Sequence, residues 1–224
     1  MHFLPNPESD PTDFAGGLPA LCSWVSGCGY YGGLRLLQAI CKCFHEYCTA
    51  SGLDLASRQP RGFSLAYTTN IPRQLGLSGS SAITLAALNC LLAHYGLEAA
   101  VPVEDRPGLV LRAEAELGIT AGLQDRVIQT YGGAVYMDFG EEHLKRTGRG
   151  KYVSLDPATL PPLHLISSRQ LSGKDSGGVH AGVRRRWQEG DPAVRYFRGQ
   201  RSATPLSCAE AVTNPPPSPC LLSL

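Results

Sequence analysis

The sequence lacks the features of several large classes of protein. It has no uninterrupted apolar run of about 18 residues, the length that a membrane-spanning helix needs. With 20 Lys and Arg against 19 Asp and Glu, the formal net charge is only +1, so no basic field would attract nucleic acid or an acidic membrane. Because no basic segment followed by an apolar one opens the chain, a signal peptide is not expected. These absences predict a globular, cytoplasmic protein that binds neither nucleic acid nor membrane.

The cysteines lack the paired spacing of common zinc sites. Eight are scattered through the 224 residues, and no two of them form a Cys-x-x-Cys pair. Cys41, His45 and Cys48 recur at helical spacing, so a metal site on one helix face is one interpretation. No fourth ligand is apparent, and scattered cysteines of cytoplasmic proteins usually act as small buried hydrophobes. Core packing is therefore the preferred interpretation.

Hydrophobic periodicity predicts both helices and strands along most of the chain. A helix is expected between Gly33 and Gly52, with an apolar face formed by Leu34, Leu37, Cys41, Phe44 and Cys48. Other segments with helical periodicity are residues 83–95, which end at Gly96, 108–117, which end at Gly118, and 179–187. The first of these would bury Ile83, Leu85, Ala86, Leu88, Leu91 and Leu92. Strands are expected at residues 63–69, 134–139 and 163–166.

The most informative segment joins the first predicted strand to the helix over residues 83–95. Residues 78–82 read Ser-Gly-Ser-Ser-Ala and contain no bulky side chain. Small residues at a helix start let backbone N–H groups approach an anion closely, and the helix dipole adds attraction. The serine hydroxyls supply further donors and can also bind Mg²⁺. The pattern favours a phosphate-binding loop, while the same residues are also typical of a simple helix cap and tight turn.

This loop resembles the second motif of the GHMP kinases, a family of small-molecule kinases that includes galactokinase, homoserine kinase and mevalonate kinase. Pro72 and the run Gly79-Ser80-Ser81-Ala82 match that motif, with one extra residue between them. The longer form over residues 70–82 is similar to the branch of the family that acts on D-glucuronate. Residues 29–33, 121–126 and 179–187 also resemble that branch, so the resemblance extends from about residue 8 to about residue 194.

The resemblance implies a fold and a reaction. The fold would be α+β, with the ribosomal-S5-like two-layer N-terminal domain of GHMP kinases and an incomplete C-terminal part. The reaction would be ATP-dependent transfer of a phosphoryl group to the anomeric hydroxyl of D-glucuronate, which gives glucuronate 1-phosphate. ATP and Mg²⁺ would be the cofactors, and a small sugar acid would be the substrate.

Two carboxylates and one loop would carry this chemistry. Asp125, expected in a Gly-flanked loop over residues 122–126, would orient or deprotonate the acceptor hydroxyl. Glu114, eleven residues earlier, would hold Mg²⁺ with Ser80 or Ser81, because a hard cation prefers oxygen ligands, and Glu116 is a weaker rival. The phosphate-binding loop would comprise Gln74, Gly76, Leu77, Ser78, Gly79, Ser80, Ser81 and Ala82.

Structural explanations compete with each of these roles. Glu114 could belong to a solvated helix face beside Arg112. Asp125 could form an ion pair with the neighbouring Arg126 or cap a helix. The carboxylate of a sugar acid would need a cationic partner, for which the candidates are Arg73, Arg126 and Arg184.

The chain divides into four expected parts. Residues 1–20, rich in Pro and Gly, should be irregular, residues 21–160 should form the kinase-type domain, and residues 161–194 should begin an incomplete C-terminal domain. Residues 195–224 contain a Pro cluster without apolar periodicity and should be disordered. Because the first strand and the third Gly-rich motif of the family are not found, we expect a fragment. The alternative hypothesis is therefore an inactive nucleotide-binding remnant that acts only through association.

Overall fold

The computed structural model describes most of the first 160 residues and the backbone of three later strands. The described segments are residues 12–30, 32–58, 62–71, 77–160, 165–168, 194–197 and 220–223. The predictions for Pro72, Arg73, Gln74, Gly76 and the helix over 179–187 lie outside these segments. None of the helices in this part of the chain has the length and apolarity needed to span a bilayer.

Helices make up most of the regular secondary structure in the described segments. They are α1 (Gly17–Cys28), α2 (Arg35–Ala50), α3 (Gly79–Tyr95), α4 (Arg106–Glu116), α5 (Gln124–Tyr131) and α6 (Glu141–Thr147), followed by a short 3₁₀ turn over Pro157–Thr159. The strands are β1 (Leu65–Thr68), β2 (Ala134–Asp138), β3 (Lys151–Leu155), β4 (Leu165–Ser168), β5 (Val194–Phe197) and β6 (Cys220–Ser223). The strands form pairs: β1 with β6 in parallel, and β2 with β3 and β4 with β5 antiparallel. The predicted mixture of helices and strands is confirmed.

The hydrophobic core lies between α2, α3 and α4. α2 packs against α1, α3 and α4, and α5 packs against α3 and α4. The largest side chains that are less than 2 % exposed include Phe44, Ile40, Leu88, Leu91, Leu92 and Val110. All six predicted inward residues of α3 are buried, as are Leu37, Cys41, Phe44 and Cys48 on α2. Leu34 is an exception, because it lies before the first turn of α2 and is 38 % exposed.

Two glycines predicted to end helices do so. Gly96 follows α3 with a φ of +62°, and Gly118 follows α4 with a φ of +70°. Residues with a Cβ seldom adopt this left-handed conformation, which turns the chain away from the helix axis. After α3, the N–H of Leu97 donates to the Leu92 carbonyl at 2.8 Å and satisfies one of the last carbonyl groups of the helix.

We expected residues 1–20 to be irregular. This prediction is wrong for residues 17–20, because α1 begins at Gly17. Leu18, Leu21 and Val25 recur at helical spacing and are buried in the core. Gly, Pro and Ser within the helix have low intrinsic propensity and obscure this pattern in the sequence. Packing against α2 stabilises α1, since a short helix depends mostly on tertiary contacts.

The last predicted segment contains one described strand and most of another. We expected disorder over residues 195–224, but β5 (Val194–Phe197) extends into them and pairs with β4. β6 lies entirely within them, and its four residues pair with Leu65–Thr68 of β1. The rest of that segment lies outside the described residues. The domain boundaries therefore stay a prediction.

The cysteines of α2 are part of the core. Cys41 and Cys48 are buried, and burial raises the pKa of Cys41 to about 12 and that of Cys48 to about 11. Across the described segments, no group of three or more His, Cys, Asp or Glu side chains is placed to hold a metal ion. The core-packing interpretation is confirmed for Cys41, Cys43 and Cys48, which lie in the hydrophobic core.

Candidate active site

Ser78 shapes the start of α3. It has a φ of +55° and is the only non-glycine residue with a positive φ in the described part of the chain. Such a conformation costs about 1–3 kcal/mol and persists only where the surroundings enforce it. Three groups donate to its carbonyl oxygen: the Ser81 hydroxyl at 3.0 Å, the Gln129 amide at 3.1 Å and the Ala82 N–H at 3.1 Å. The Ala82 bond is the first hydrogen bond inside the helix. The N–H groups of Gly79, Ser80 and Ser81 therefore have no acceptor within α3.

Asp125 lies directly beside this loop. The Ser78 hydroxyl donates to Oδ2 of Asp125 at 2.6 Å, although the two residues are 47 positions apart. Asp125 is not in a loop, as the sequence suggested, but in the first turn of α5, where the helix dipole favours a negative charge. Its side chain remains 51 % exposed, and Nη1 of Arg126 lies 3.6 Å from Oδ2. The carboxylate is therefore held in position while solvent can still reach it.

Glu114 is a buried ion-pair partner and not part of a solvated face. Its side chain is 0 % exposed, and that of Arg126 is 3 % exposed. Nε and Nη2 of Arg126 both donate to Oε2 of Glu114, the former at 2.7 Å. The Ser80 hydroxyl donates to the other oxygen, Oε1, at 2.7 Å. α3, α4 and α5 are thus joined by one polar network, which is stable because each buried charge has a partner.

Glu116 has quite different surroundings. Its Oε2 accepts hydrogen bonds from Lys42 at 2.7 Å and from Tyr30 at 3.0 Å, on the side of α4 that faces α2. The hydrogen bond from Lys42 lowers the pKa of the Glu116 carboxyl and raises that of the Lys42 ammonium group. Burial, with the hydrogen bond to Glu116, raises the pKa of Tyr30. This cluster joins α4 to α2 and lies apart from Ser80 and Asp125.

A cleft of about 710 Å³ opens at the start of α3. Its lining comprises Gly32, Gly33, Arg35, Leu36, Tyr67, Thr69, Ile71, Leu77, Ser78, Gly79, Ser80, Ser81, Ile83, Ile119, Ala121, Asp125 and Arg126. A volume of this size is typical of small-molecule sites, which span about 300–1,000 Å³. The cleft combines a helix N-terminus, several hydroxyl groups and one exposed carboxylate, so it can hold an anion next to a group that accepts a proton.

The structure brings together most of the predicted site residues that it describes. Leu77, Ser78, Gly79, Ser80, Ser81 and Asp125 line the cleft. Glu114 reaches it only through Ser80 and Arg126, since its own side chain is fully buried. Ala82 does not line it, and its N–H is engaged within α3. Ser81 lines the cleft, but its hydroxyl donates to the Ser78 carbonyl rather than to Glu114.

Two further residues, Gln129 and Arg35, escaped the sequence interpretation, and a third, Arg126, has a different role from the one considered. Gln129 supports the Ser78 carbonyl, and its position four residues after Asp125 on α5 would place both on one helix face. Arg126 was considered as a substrate ligand but is the partner of Glu114. Arg35 lines the cleft from the first turn of α2, and nothing in its local sequence distinguishes it.

Comparison with known proteins identifies the family of this domain. Residues 35–133, which include α2 to α5, match the family model described as the GHMP kinases N terminal domain. The chain contains a GHMP kinase N-terminal domain. It is 53 % identical over 190 residues to "Glucuronokinase 1" of Arabidopsis thaliana, an alignment that covers 85 % of this chain and 51 % of that relative.

A second relative from the same organism gives the same result. "Probable glucuronokinase 2" is 53 % identical over 191 residues, covering 85 % of this chain and 50 % of the relative. The chain thus spans about half the length of the curated relatives it matches. No solved structure matches the chain. The resemblance to GHMP kinases noted in the sequence is confirmed.

Proposed function

We propose that the chain carries the active site of an ATP-dependent sugar kinase. The acceptor would be the anomeric hydroxyl of D-glucuronate, and the product would be glucuronate 1-phosphate. The observation that supports this most strongly is the 2.6 Å contact between Ser78 and Asp125, because it brings an anion-binding loop and an exposed carboxylate to one cleft. The names of the two relatives support the substrate.

The loop at the start of α3 would bind the phosphates of ATP. Ser78, Gly79 and Ser80 line the cleft, where the first N–H groups of the helix have no intrahelical acceptor. Such groups, together with the helix dipole, attract phosphate. Gln74 and Gly76 belong to the same proposed loop. Phosphoryl transfer depends mainly on positioning and charge stabilisation, which a rigid loop of this kind can supply.

Asp125 would act on the acceptor hydroxyl. Its carboxylate is half exposed in the cleft, and its Oδ2 is held both by the Ser78 hydroxyl and by the nearby Arg126 guanidinium. A carboxylate fixed in this way can orient the sugar hydroxyl and accept its proton as the phosphoryl group is transferred. Ser78 would then have two roles, since it shapes the loop and fixes the catalytic carboxylate.

Ser80 and Glu114 would hold Mg²⁺. Their oxygens lie 2.7 Å apart, and one hydroxyl with one carboxylate is a set of donors that suits this cation, which usually keeps waters and substrate phosphates as its other ligands. The second oxygen of Glu114 is already bonded to Arg126, so only one remains for a metal. Bound Mg²⁺ would neutralise charge on the transferred phosphoryl group. Ser81 is less suited, because its hydroxyl is bonded to the Ser78 carbonyl. The same proposal includes the ribosomal-S5-like fold and a cytoplasmic location.

The test compares Asp125→Asn with the native chain. We expect turnover of D-glucuronate, followed by ³¹P NMR of the 1-phosphate, to fall by about 10²–10⁴-fold. Stabilisation by Mg·ATP in thermal unfolding should stay the same, because Asn keeps the shape of the loop contact. Asp156→Asn is the matched control, since Asp156 is exposed outside the cleft and caps the 3₁₀ turn. Unchanged turnover in Asp125→Asn, or a native chain that binds Mg·ATP without turnover, would contradict the proposal.

A further inference from the structure

Two guanidinium groups line the cleft among the described residues, and they differ in how far they are engaged. Arg35 extends from the start of α2, and Arg126 extends from α5. A substrate with a carboxylate needs such a group, because the fork of a guanidinium donates two parallel hydrogen bonds to a planar anion. Whichever of the two has free donors is the better candidate for this contact.

Arg126 has few donors left for a substrate. Nε and Nη2 are bonded to Glu114, and Nη1 donates to the Gly122 carbonyl at 2.9 Å. The side chain is 3 % exposed, so a ligand could not replace Glu114 without leaving a buried carboxylate unpaired. Such an unpaired buried charge is strongly unfavourable. Arg126 is therefore an internal partner and not the substrate ligand that the sequence allowed.

The donors of Arg35, by contrast, are not engaged by other described residues. It is exposed, it lines the cleft, and it forms no hydrogen bond or ion pair within the described part of the chain. It is also the first residue of α2, where no acidic side chain occurs in the first turn and no side chain caps the helix. A cation at a helix N-terminus is electrostatically unfavourable, so a bound anion would offset both the side-chain charge and the dipole.

The space next to Arg35 is open. Gly32 and Gly33 line the same part of the cleft, and a Cβ added to either would meet no atom within 4 Å. Gly32 has a φ of +71°, which a residue with a side chain would adopt only under strain. The chain therefore leaves room beside the guanidinium, where a ligand group could lie against the backbone.

We propose that Arg35 binds the carboxylate of the sugar acid and so determines specificity for an acidic over a neutral sugar. This inference rests on the proposed kinase function. The phosphate groups of ATP would already be bound by the N–H groups and hydroxyls at the start of α3. The carboxylate is the remaining anion of such a reaction, and its planar shape matches the guanidinium fork. Arg35 is thus a substrate-binding residue supplied by α2, apart from the loop and the catalytic carboxylate.

The experiment measures kcat/KM for D-glucuronate and for D-glucose in the native chain, Arg35→Gln and Arg35→Lys. Glucose carries a hydroxymethyl group where glucuronate carries its carboxylate. Loss of a bidentate charge-assisted contact should lower kcat/KM for glucuronate by about 10- to 100-fold in Arg35→Gln. The value for glucose and the KM for Mg·ATP should hardly change. Arg35→Lys should be intermediate, because it keeps the charge and loses the fork.

Arg112→Gln is the matched control. Arg112 is also an exposed arginine, but it pairs with Glu46 at 3.1 Å and does not line the cleft. We expect it to leave both sugars unaffected. Equal loss with glucuronate and glucose, a rise only in the KM for Mg·ATP, or no effect of Arg35→Gln would each overturn the assignment. A selective rise for Mg·ATP would show that Arg35 binds phosphate instead.

Calorimetric titration of D-glucuronate separates this inference from the proposed reaction. If the native chain binds glucuronate without turnover, the kinase proposal fails, and the Arg35 assignment is still decided by whether Arg35→Gln abolishes that binding. If glucuronate is turned over equally by the native chain and Arg35→Gln, the assignment fails and the kinase proposal stands. If the native chain neither binds nor phosphorylates glucuronate, both are overturned.

Discussion

Two glutamates on one helix show how differently the two sides of this domain are built. Glu114 and Glu116 lie two residues apart on α4 and so point about 200° apart, since each residue of an α-helix turns by about 100°. Glu114 is fully buried, with Arg126 on α5 and Ser80 on α3 as its partners. Glu116 is 33 % exposed and contacts Lys42 on α2 and Tyr30.

The interactions of Glu114 organise the candidate site, whereas those of Glu116 join two helices. Around Glu114, hydrogen bonds connect Ser80 and Arg126, and both of these residues also line the cleft. Around Glu116, the partners hold α2 near α4 where water can replace them. In a low-dielectric interior a lost partner leaves an unpaired charge, whereas at the surface solvent compensates. The same substitution should therefore have very different effects at the two positions.

The largest effect is expected for Glu114→Gln. Because this change leaves the buried Arg126 guanidinium with only the half-exposed Asp125 carboxylate nearby, we expect the free energy of unfolding to fall by about 3–5 kcal/mol. Urea denaturation at neutral pH measures this difference. Glu116→Gln, the same chemical change two residues further along α4, is the control. A loss in Glu114→Gln no larger than in the control would mean that solvent reaches the pair.

A double variant sharpens this result. Replacing both partners, in Glu114→Gln with Arg126→Met, removes the unpaired charge and should recover part of the stability lost in the single variant. It should not recover kinase turnover, since the proposed Mg²⁺ ligand and the group beside Asp125 are both gone. Recovery of turnover together with stability would show that the pair is only structural.

Ser80→Ala should have an intermediate effect. It removes the hydroxyl that donates to Oε1 of Glu114 and leaves this buried acceptor without that donor, which costs about 1–3 kcal/mol. Chemical denaturation measures the loss, and thermal unfolding shows whether stabilisation by Mg·ATP is weaker than in the native chain. Ser154→Ala, at an exposed position on β3, is the control and should change neither quantity. An identical response to Mg·ATP in Ser80→Ala and the native chain would argue against a metal ligand at this position.

Glu116→Gln should cost less, about 0.2–1 kcal/mol at neutral pH, because the cluster is partly solvated. Its pH dependence follows from the lowered pKa. The Glu116 carboxyl has a pKa below its ordinary value of 4.5 in the folded chain, so it binds protons more readily when unfolded. Its contribution to stability is therefore present above pH 4.5 and is lost as the pH falls through the folded pKa. Denaturation of both chains at several pH values should show their difference shrinking on acidification, and a constant difference would contradict this assignment.

The smallest effect is expected on α6, away from both clusters. Glu141 and Lys145 form a pair of 2.5 Å at positions i and i+4, with both side chains largely exposed. Glu141→Gln should change the free energy of unfolding by at most about 0.5 kcal/mol, and added salt should reduce even this difference. Urea denaturation at low and high salt measures it. A larger loss would mean that exposed pairs matter more in this domain than the Glu116 cluster suggests.

The elements with strong local signals were predictable. The periodicity over residues 83–95 and the glycines at 96 and 118 mark helix faces and helix ends through local sterics, and the structure agrees. α1 was not predictable in the same way, because its stability depends on packing against α2 and not on the helix propensity of its own residues. Asp125 was recognised by its motif, yet its position in the first turn of α5 was not foreseen.

The site was only partly predictable. The small residues from Ser78 to Ser81 indicate an anion-binding loop through their size and hydroxyl groups. The left-handed backbone of Ser78 is not visible in the sequence, since it depends on contacts with Asp125 and Gln129 from α5. The difference between an exposed Arg35 and an Arg126 paired with Glu114 also required the structure, because the sequence shows neither exposure nor pairing.

By itself the sequence determined the helical core, the helix ends, the small-residue loop before α3 and the family to which residues 35–133 belong, since each depends on residues close together or on a recognisable motif. Only the tertiary structure decided which charges meet. Ser80 and Glu114 are 34 positions apart, and Ser78 and Asp125 are 47 apart. Whether such groups pair depends on the packing of α3, α4 and α5, which buries Glu114 against Arg126 and leaves Glu116, two residues away, at the edge of solvent.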